Sequence, residues 1–438
     1  MRSKKILITA ILIAFTLPLT FSLYAEESDQ SFSGTFRIGY RLVDTSGTYE
    51  KYKEDFNLDD GVRLFNLNLH YTPQGDLKKL VDRFDLNVYN FGGDPFETFG
   101  LSIKKKNTYR FQYNRRKSTY FYSDQRQEGG HLFDLHTFNF DRESDSGSLK
   151  VYLGDKINLY MNFDRYSKEG ESITTFDINR VEFEFDKPIK QESKEVAIGL
   201  DVHLNRFSFL FEEKILEYES TNSLFLPGAA DGGPSARYPS ALNYFNLNQP
   251  YDIESNTHTF KFNARPFNSL LVSGSAQLSN QDTNISLLDE SDGTDYFGRS
   301  FTIDNSGNGS FERDIKLYDL DISLLLSNKL ALIGAVRRHT FDQTGSFTVN
   351  NEAESQEFEF ETTGFEGGLQ YQISSDFALT LGYRNETRKL ENLETVTYEE
   401  ETQRDGIFGN LKLNLSKVIK ITLDLQTGSI VDPYTLAG

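Results

Sequence analysis

The feature that most constrains this chain is a hydrophobic period of two that returns along almost its whole length. Phe36, Ile38, Tyr40 and Leu42 alternate with Arg37, Gly39 and Arg41, and Phe65, Leu67, Leu69 and Tyr71 with Asn66, Asn68 and His70. Tyr109, Phe111 and Tyr113 alternate with Arg110 and Gln112. The pattern recurs at Ile157 to Phe163, Val196 to Val202, Phe207 to Phe211, Leu320 to Leu324, Leu330 to Val336, Phe365 to Tyr371, Phe377 to Tyr383 and Ile419 to Leu425. Successive side chains of a strand point to opposite faces, so each segment predicts a strand with one apolar and one polar face. No stretch carries a competing helical period of comparable length.

The connections alternate too. Tight turns are predicted at Gly154 to Lys156, Asn205-Arg206, Arg265 to Asn268, Ser327 to Lys329 and Ser374 to Asp376. Between them lie long polar segments, read as loops: Lys117 to Gly130, Thr221 to Asn256, Ser279 to Arg313, Gln343 to Gln356 and Lys389 to Arg404. Many alternating segments run about 9–13 residues, the span a tilted strand needs to cross hydrocarbon. Strands of soluble sandwiches average ~5–6 residues. Around residues 131–153 the pattern fits either one long strand or two.

Composition becomes informative once the strands are in view. Hydrophobic residues make up 37% of 438, yet 37 Phe and 23 Tyr are present and the net charge is −19. A sheet wet on one face and in lipid on the other produces this mixture. Lipid cannot satisfy backbone N–H and C=O groups, so a spanning sheet must close on itself. The expected fold is an all-β transmembrane antiparallel up-and-down barrel of roughly 16–20 or more strands, with short periplasmic turns and long outer segments. Tyr40, Tyr71, Tyr113, Tyr120, Phe121, Tyr122, Tyr371 and Tyr383 are candidates for its interfacial aromatic girdles.

The N-terminus fixes the compartment. Arg2, Lys4 and Lys5 precede an apolar run from Ile6 to Leu19, and Ala25 is followed by Glu26-Glu27. Residues 1–25 therefore read as a secretory signal peptide, and 26–438 as one outer-membrane barrel domain of a Gram-negative-type envelope. After Ala25 no window approaches 18 consecutive apolar residues, so no helical membrane span is predicted.

Alternation points Arg37, Arg41, Asn66, Asn68, His70, Arg110, Gln112, Asn158, Asn162, Asp164, Asp201, His203, Lys261, Asn263, Asp321 and Gln370 inward, as candidate pore-lining residues. They can either line an open hydrated path or pair with one another. The acidic surplus concentrates in the outer segments, as at Glu352 to Glu361 and Glu391 to Asp405. No catalytic residues, metal ligands or cofactor are assigned. Zero Cys excludes Cys-ligated zinc, iron–sulfur clusters and covalently attached c-type haem in this chain. The acidic balance argues against nucleic acid as a partner. His131 and His136 match no ligand spacing, and Asp289 to Asp295 is an incomplete imitation of a calcium loop, read as a solvated outer segment. No P-loop, dinucleotide or nucleophile-elbow motif is present, and the chain reads as a non-enzyme.

Several segments carry a family resemblance. They are Gly93-Asp94-Pro95-Phe96, Tyr109 to Arg116 running into Tyr120-Phe121-Tyr122, Leu159 to Tyr166, and Asn263-Ala264-Arg265-Pro266-Phe267. Together they are similar to the MtrB/PioB-like outer-membrane barrels. That resemblance implies a large pore-forming scaffold that sheathes a multihaem c-type cytochrome, with electron transfer across the membrane carried by the partner's haems. Some members carry an N-terminal Cys pair, which this chain lacks. The last residues, Asp432 to Gly438, lack the terminal aromatic strand such barrels commonly end on, so further strands are expected beyond them. Alternative readings are a diffusion porin for small solutes, a secreted or surface β-protein binding glycans or a partner, and a barrel hydrolase.

Overall fold

A computed structural model describes residues 19–24, 31–128, 131–178, 181–232, 240–374, 376–392, 398–414 and 420–431. All its strands belong to one antiparallel sheet. The first five are short: β1 Leu19–Tyr24, β2 Ser31–Arg41, β3 Gly61–Thr72, β4 Arg83–Phe91 and β5 Phe96–Lys105. The next five are long: β6 Tyr109–Glu128, β7 His131–Leu153, β8 Ile157–Ile178, β9 Val181–Leu204 and β10 Phe207–Phe225. A three-residue strand, β11 Ala230–Gly232, leads to β12 Ser240–Phe267, β13 Leu270–Thr294, β14 Ser300–Leu325, β15 Leu330–Val349 and β16 Glu352–Ser374. The order closes with β17 Phe377–Asn392, β18 Tyr398–Asn414 and β19 Lys420–Val431. Each strand pairs with its sequence neighbour, except that β10 and β11 both pair with β12. The up-and-down topology read from the sequence is the one observed.

Predicted turns at Gly154 to Lys156, Asn205-Arg206 and Ser327 to Lys329 fall between strands, and the one at Ser374 to Asp376 falls at the β16–β17 junction. The one expected at Arg265 to Asn268 comes later, because β12 pairs on to Phe267 and the turn is at Asn268-Ser269. The long polar segments are a different matter: most of their residues are hydrogen-bonded ladder rather than open loop. β12, for example, has 28 residues and β14 has 26. At ~3.3 Å per residue β12 reaches about 90 Å, nearly three times what the ~9–11 residues of a membrane crossing cover. Residues 131–153 form the single strand β7. The expected leader lies largely outside the described residues, although its Leu19–Tyr24 pairs as β1 with β2. Asp432 to Gly438 also lie outside them.

Along the long strands the apolar face changes sides. In the turn-side half of β16, Phe365, Leu369 and Tyr371 share one exposed face and Glu366 and Gln370 the other. Past Thr362 the phase inverts, with Phe358 and Phe360 on the face of Glu366 and Glu357, Glu359 and Glu361 on the face of Phe365. β14 does the same: Tyr318, Leu320, Ile322 and Leu324 oppose Asp319 and Asp321, whereas Glu312 and Asp314 oppose Phe311, Arg313 and Ile315. At the outer tips of β9, β12 and their neighbours this inverted face closes into a small core of Phe183, Phe185, Leu242 and Phe245, flanked by Leu224, Leu226, Leu247 and Phe301. The Phe185 and Phe245 rings lie 4.7 Å apart.

Two of the girdle candidates change face for the same reason. Tyr120 and Tyr122 share the face of Gln112 and stack on Phe140 and Phe138 at 5.2 and 5.3 Å. Tyr40, Tyr371 and Tyr383 remain exposed on the apolar side.

Where the short strands meet the long ones, β6 outgrows its neighbour: pairing with β5 stops at Ser118. A bare strand edge invites pairing with another chain. The edge is covered by helix α1, Tyr49–Asp55. Glu54 accepts the Ser123 N–H at 2.9 Å, and the Lys53 ammonium sits 5.1 Å from the Phe121 ring. The Thr119 N–H donates to the Pro95 carbonyl at 2.8 Å.

Candidate functional site

Directly opposed residues of an antiparallel pair share a face, so the registers decide which side chains the sheet brings together. One row runs Asn158, Asp201, Leu210 and Lys261 across β8, β9, β10 and β12. A second runs His203, Ser208, Asn263, Ser273 and Asp321, and continues through Ala335 to Glu366, the face that Gln370 shares. A third joins His70, Asp85, Ser102, Gln112, Ser148 and Asn162. Asn68 reaches Asp164 by the same route, through Asn87, Gly100, Asn114 and Ser146. Arg37 opposes Asn66, and Arg110 opposes Lys150. Arg41, four residues along β2, shares the face of Arg37, and a bulge on β3 opposite Arg37 and Ile38 brings Arg63 to that face as well. The registers thus place all sixteen candidate residues on one face of the sheet. The opposite face in the turn-side half carries rows such as Leu159, Leu200, Phe211, Phe260, Ala276 and Tyr318.

Part of this polar face is satisfied internally. His70 Nδ1 lies 2.7 Å from Asp85 Oδ1, and Arg83 Nε donates to Asp85 Oδ2 at 2.6 Å. Asp201 Oδ2 accepts from the Asn158 amide at 3.5 Å and lies 3.0 Å from His203 Nε2. Tyr160 donates to Glu212 at 2.8 Å, Lys214 meets Glu195 at 3.4 Å, and Arg384 donates twice to Glu366 at 3.0 and 2.7 Å. Mutual pairing, one of the two sequence alternatives, is therefore present on this face.

The Gly93-Asp94-Pro95-Phe96 segment has a local function that alternation could not reveal. Asp94 is buried at the rim of the short strands and holds two guanidiniums, those of Arg41 and Arg63. Arg63 is buried as well; its Nη2 donates to the carbonyls of Asp59 at 2.7 Å and Asp60 at 3.0 Å, and its Nη1 to that of Val62 at 3.1 Å. Gly92 makes this approach feasible: its φ is +121°, and a Cβ there would meet the Val62 carbonyl at 2.8 Å. A buried charge pair needs such full partnering to persist.

Among the described residues, no group of three or more His, Cys, Asp or Glu is arranged to hold a metal ion. Asp289 to Thr294 is strand rather than solvated loop, and Asp289 accepts from the Asn305 amide at 3.3 Å. Asp295 closes the turn to β14, accepting the N–H groups of Phe297 and Arg299 at 2.9 and 2.8 Å.

A single sheet of long antiparallel strands, apolar on one face and polar on the other across a membrane-sized band, is the geometry of an outer-membrane barrel wall. Residues 46–429 match the family model described as "Putative outer membrane beta-barrel porin, MtrB/PioB". The chain belongs to the MtrB/PioB family. This MtrB/PioB barrel is accordingly an outer-membrane protein whose apolar face meets lipid. Among solved structures it is similar to the ferric yersiniabactin uptake receptor FyuA from Yersinia pestis, with 10% identity and a TM-score of 0.46, covering 92% of this chain and 60% of that one. It is also similar to the siderophore receptor PiuA from Acinetobacter baumannii, with 9% identity, a TM-score of 0.33, and 90% and 75% of the two chains covered. The toluene transporter TodX from Pseudomonas putida matches at 10% identity and a TM-score of 0.30, over 74% of this chain and 89% of that one. The MtrB/PioB chain thus spans 60% of the length of the yersiniabactin receptor. No curated protein matches it.

Proposed function

We propose that the sheet encloses a hydrated bore lined by the sixteen polar-face residues, and that this bore sheathes a multihaem c-type cytochrome for electron transfer across the outer membrane. The observation that carries the reading is the common face of those residues, opposite the apolar rows, in a chain of this family. Barrels of 16–18 strands leave an aqueous channel, whereas those of about 8 are filled by their own side chains. The scaffold itself is non-enzymatic and carries no cofactor. Without Cys it has no covalent anchor for c-type haem, so the redox groups belong to the partner. Residues 1–25 act as the export signal and are removed, β1 with them, leaving one barrel domain from residue 26 whose sheet begins at β2.

Mild-detergent purification of the tagged barrel tests the reading. A sheath brings down a haem-staining partner and shows little conductance in planar bilayers until the partner is stripped. A barrel that conducts fully as purified, with no haem in the eluate, is instead a diffusion porin for small solutes.

A further inference from the structure

The polar face carries a second pattern, formed by charges that do not pair. Arg83, Lys104, Arg110 and Lys150 oppose one another in a single row across β4, β5, β6 and β7, at the turn-side end of those strands. Like charges directly opposite each other destabilise a sheet. Arg83 is offset by Asp85. Among the described residues, Lys104, Arg110 and Lys150 have no carboxylate partner; Lys150 lies 5.7 Å from the Tyr152 ring. Lys104 and Arg110 are exposed. Beside the row, the turns carry the exposed Lys106 and Lys156, with Asp82 and Asp155 next to them. This accumulation stands in a chain whose net charge is −19.

We infer that the row Arg83–Lys104–Arg110–Lys150 is a recognition ladder for a carboxylate-rich polypeptide surface entering from the turn side. The inference rests on the polar face lining the bore. Neighbouring strands lie about 4.8 Å apart, so four successive cations span about 14 Å of open wall. A small anion is held by groups converging around it, whereas this row is flat, straight and unenclosed. Its geometry suits a series of carboxylates spread along a surface. Each pairing relieves the repulsion along the row, and the attraction weakens as salt is added. The acidic outer half of the chain repels the same partner, so the ladder also favours one direction of approach.

The test uses the full chain reconstituted in phospholipid vesicles, with fluorescent poly-L-glutamate as the probe. The native barrel should bind it at low salt and release it as ionic strength rises. The combined variant Lys104→Glu/Arg110→Glu/Lys150→Glu should lose at least tenfold in affinity, while Lys316→Glu, in the loop-side half of the opposite face, should not. Heat-modifiable gel mobility reports folding of each variant. Should the triple variant misfold, the neutral pair Lys104→Gln/Arg110→Gln serves, with a smaller loss and a shallower salt dependence expected. Unchanged affinity in the folded variants overturns the ladder. Displacement of the peptide by inorganic phosphate at matched ionic strength overturns it too, by revealing a small-anion site. A thiol introduced by Lys104→Cys, in a chain otherwise free of Cys, separates the two premises. If a membrane-impermeant maleimide fails to label it in intact, open barrels, the bore reading has failed. Labelling with no effect of the ladder variants fails the ladder alone.

Discussion

The turn-side and loop-side halves of the long strands share one backbone ladder and have opposite faces. In β16 the turn-side half exposes Phe365 and Tyr371 where the loop-side half exposes Glu357 and Glu359. The ladder hydrogen bonds are the same in both, so the difference records the solvent outside. Lipid selects apolar side chains on the outer face of the first half. Water selects charge there in the second, and the aromatics move to the inner face, where they can pack. Amphipathicity here describes a strand's surroundings at each height, and one strand can carry two opposite versions of it.

The sharpest break in this comparison should come from Phe185→Ala. Removing a fully buried ring from the tip core should cost about 3–5 kcal/mol, all of it in the loop-side half. Native-state hydrogen exchange should show faster exchange at the outer ends of β9 and β12 with the turn-side ends unchanged; uniform loss would mean the halves are one cooperative unit. Next comes a charge placed on the same face at two heights. Ile322→Arg, in the lipid band, should destabilise by about 2–4 kcal/mol, whereas Glu312→Arg, ten residues along β14, should stay within about 0.5 kcal/mol. Denaturant titration in vesicles measures both, and equal costs would move the membrane boundary.

Two smaller effects refine the loop-side half. Asn350 and Asn351 turn β15 into β16 with φ of +51° and +70°. Alanine tolerates that left-handed geometry poorly, so Asn350→Ala should cost about 1 kcal/mol, read from the same titration. The smallest effect is a pH dependence. The Arg165 guanidinium, bonded at 2.9 Å, holds the Glu192 carboxyl below its usual range. A depressed carboxyl contributes stability that is full above its unfolded pKa and is lost as pH falls through the folded one. Stability of the loop-side half should therefore decline on acidification below the ordinary glutamate range, and Glu192→Gln should flatten that decline.

These results also show what the sequence made legible. Strand identity, turn positions and the face of each turn-side residue follow from the period of two, because lipid enforces a strict contrast. The loop-side halves read as loops because their strands are wet outside, and Glu, Asp, Asn and Ser fill the outward positions. Yet Phe358 and Phe360 alternating with Glu357, Glu359 and Glu361 carry the same period in opposite phase. The pairing of Arg63 with Asp94 is illegible for another reason: the two meet through a bulge and a glycine turn, which no periodicity encodes. The cation row needed registers as well, since Arg83 and Lys150 are brought into one line only by four strands pairing in sequence.

That pairing scheme also sets how the molecule can assemble. Every described seam joins strands next to each other in the chain, apart from β10 and β12, which only the short β11 separates, so each hairpin forms at a small loop-closure cost and offers its edge to the next. Closing a barrel adds one seam of another kind, between strands separated by nearly the whole polypeptide. Assembly should be quick and stepwise until that last contact, and whatever guides it in the cell has the most to contribute there.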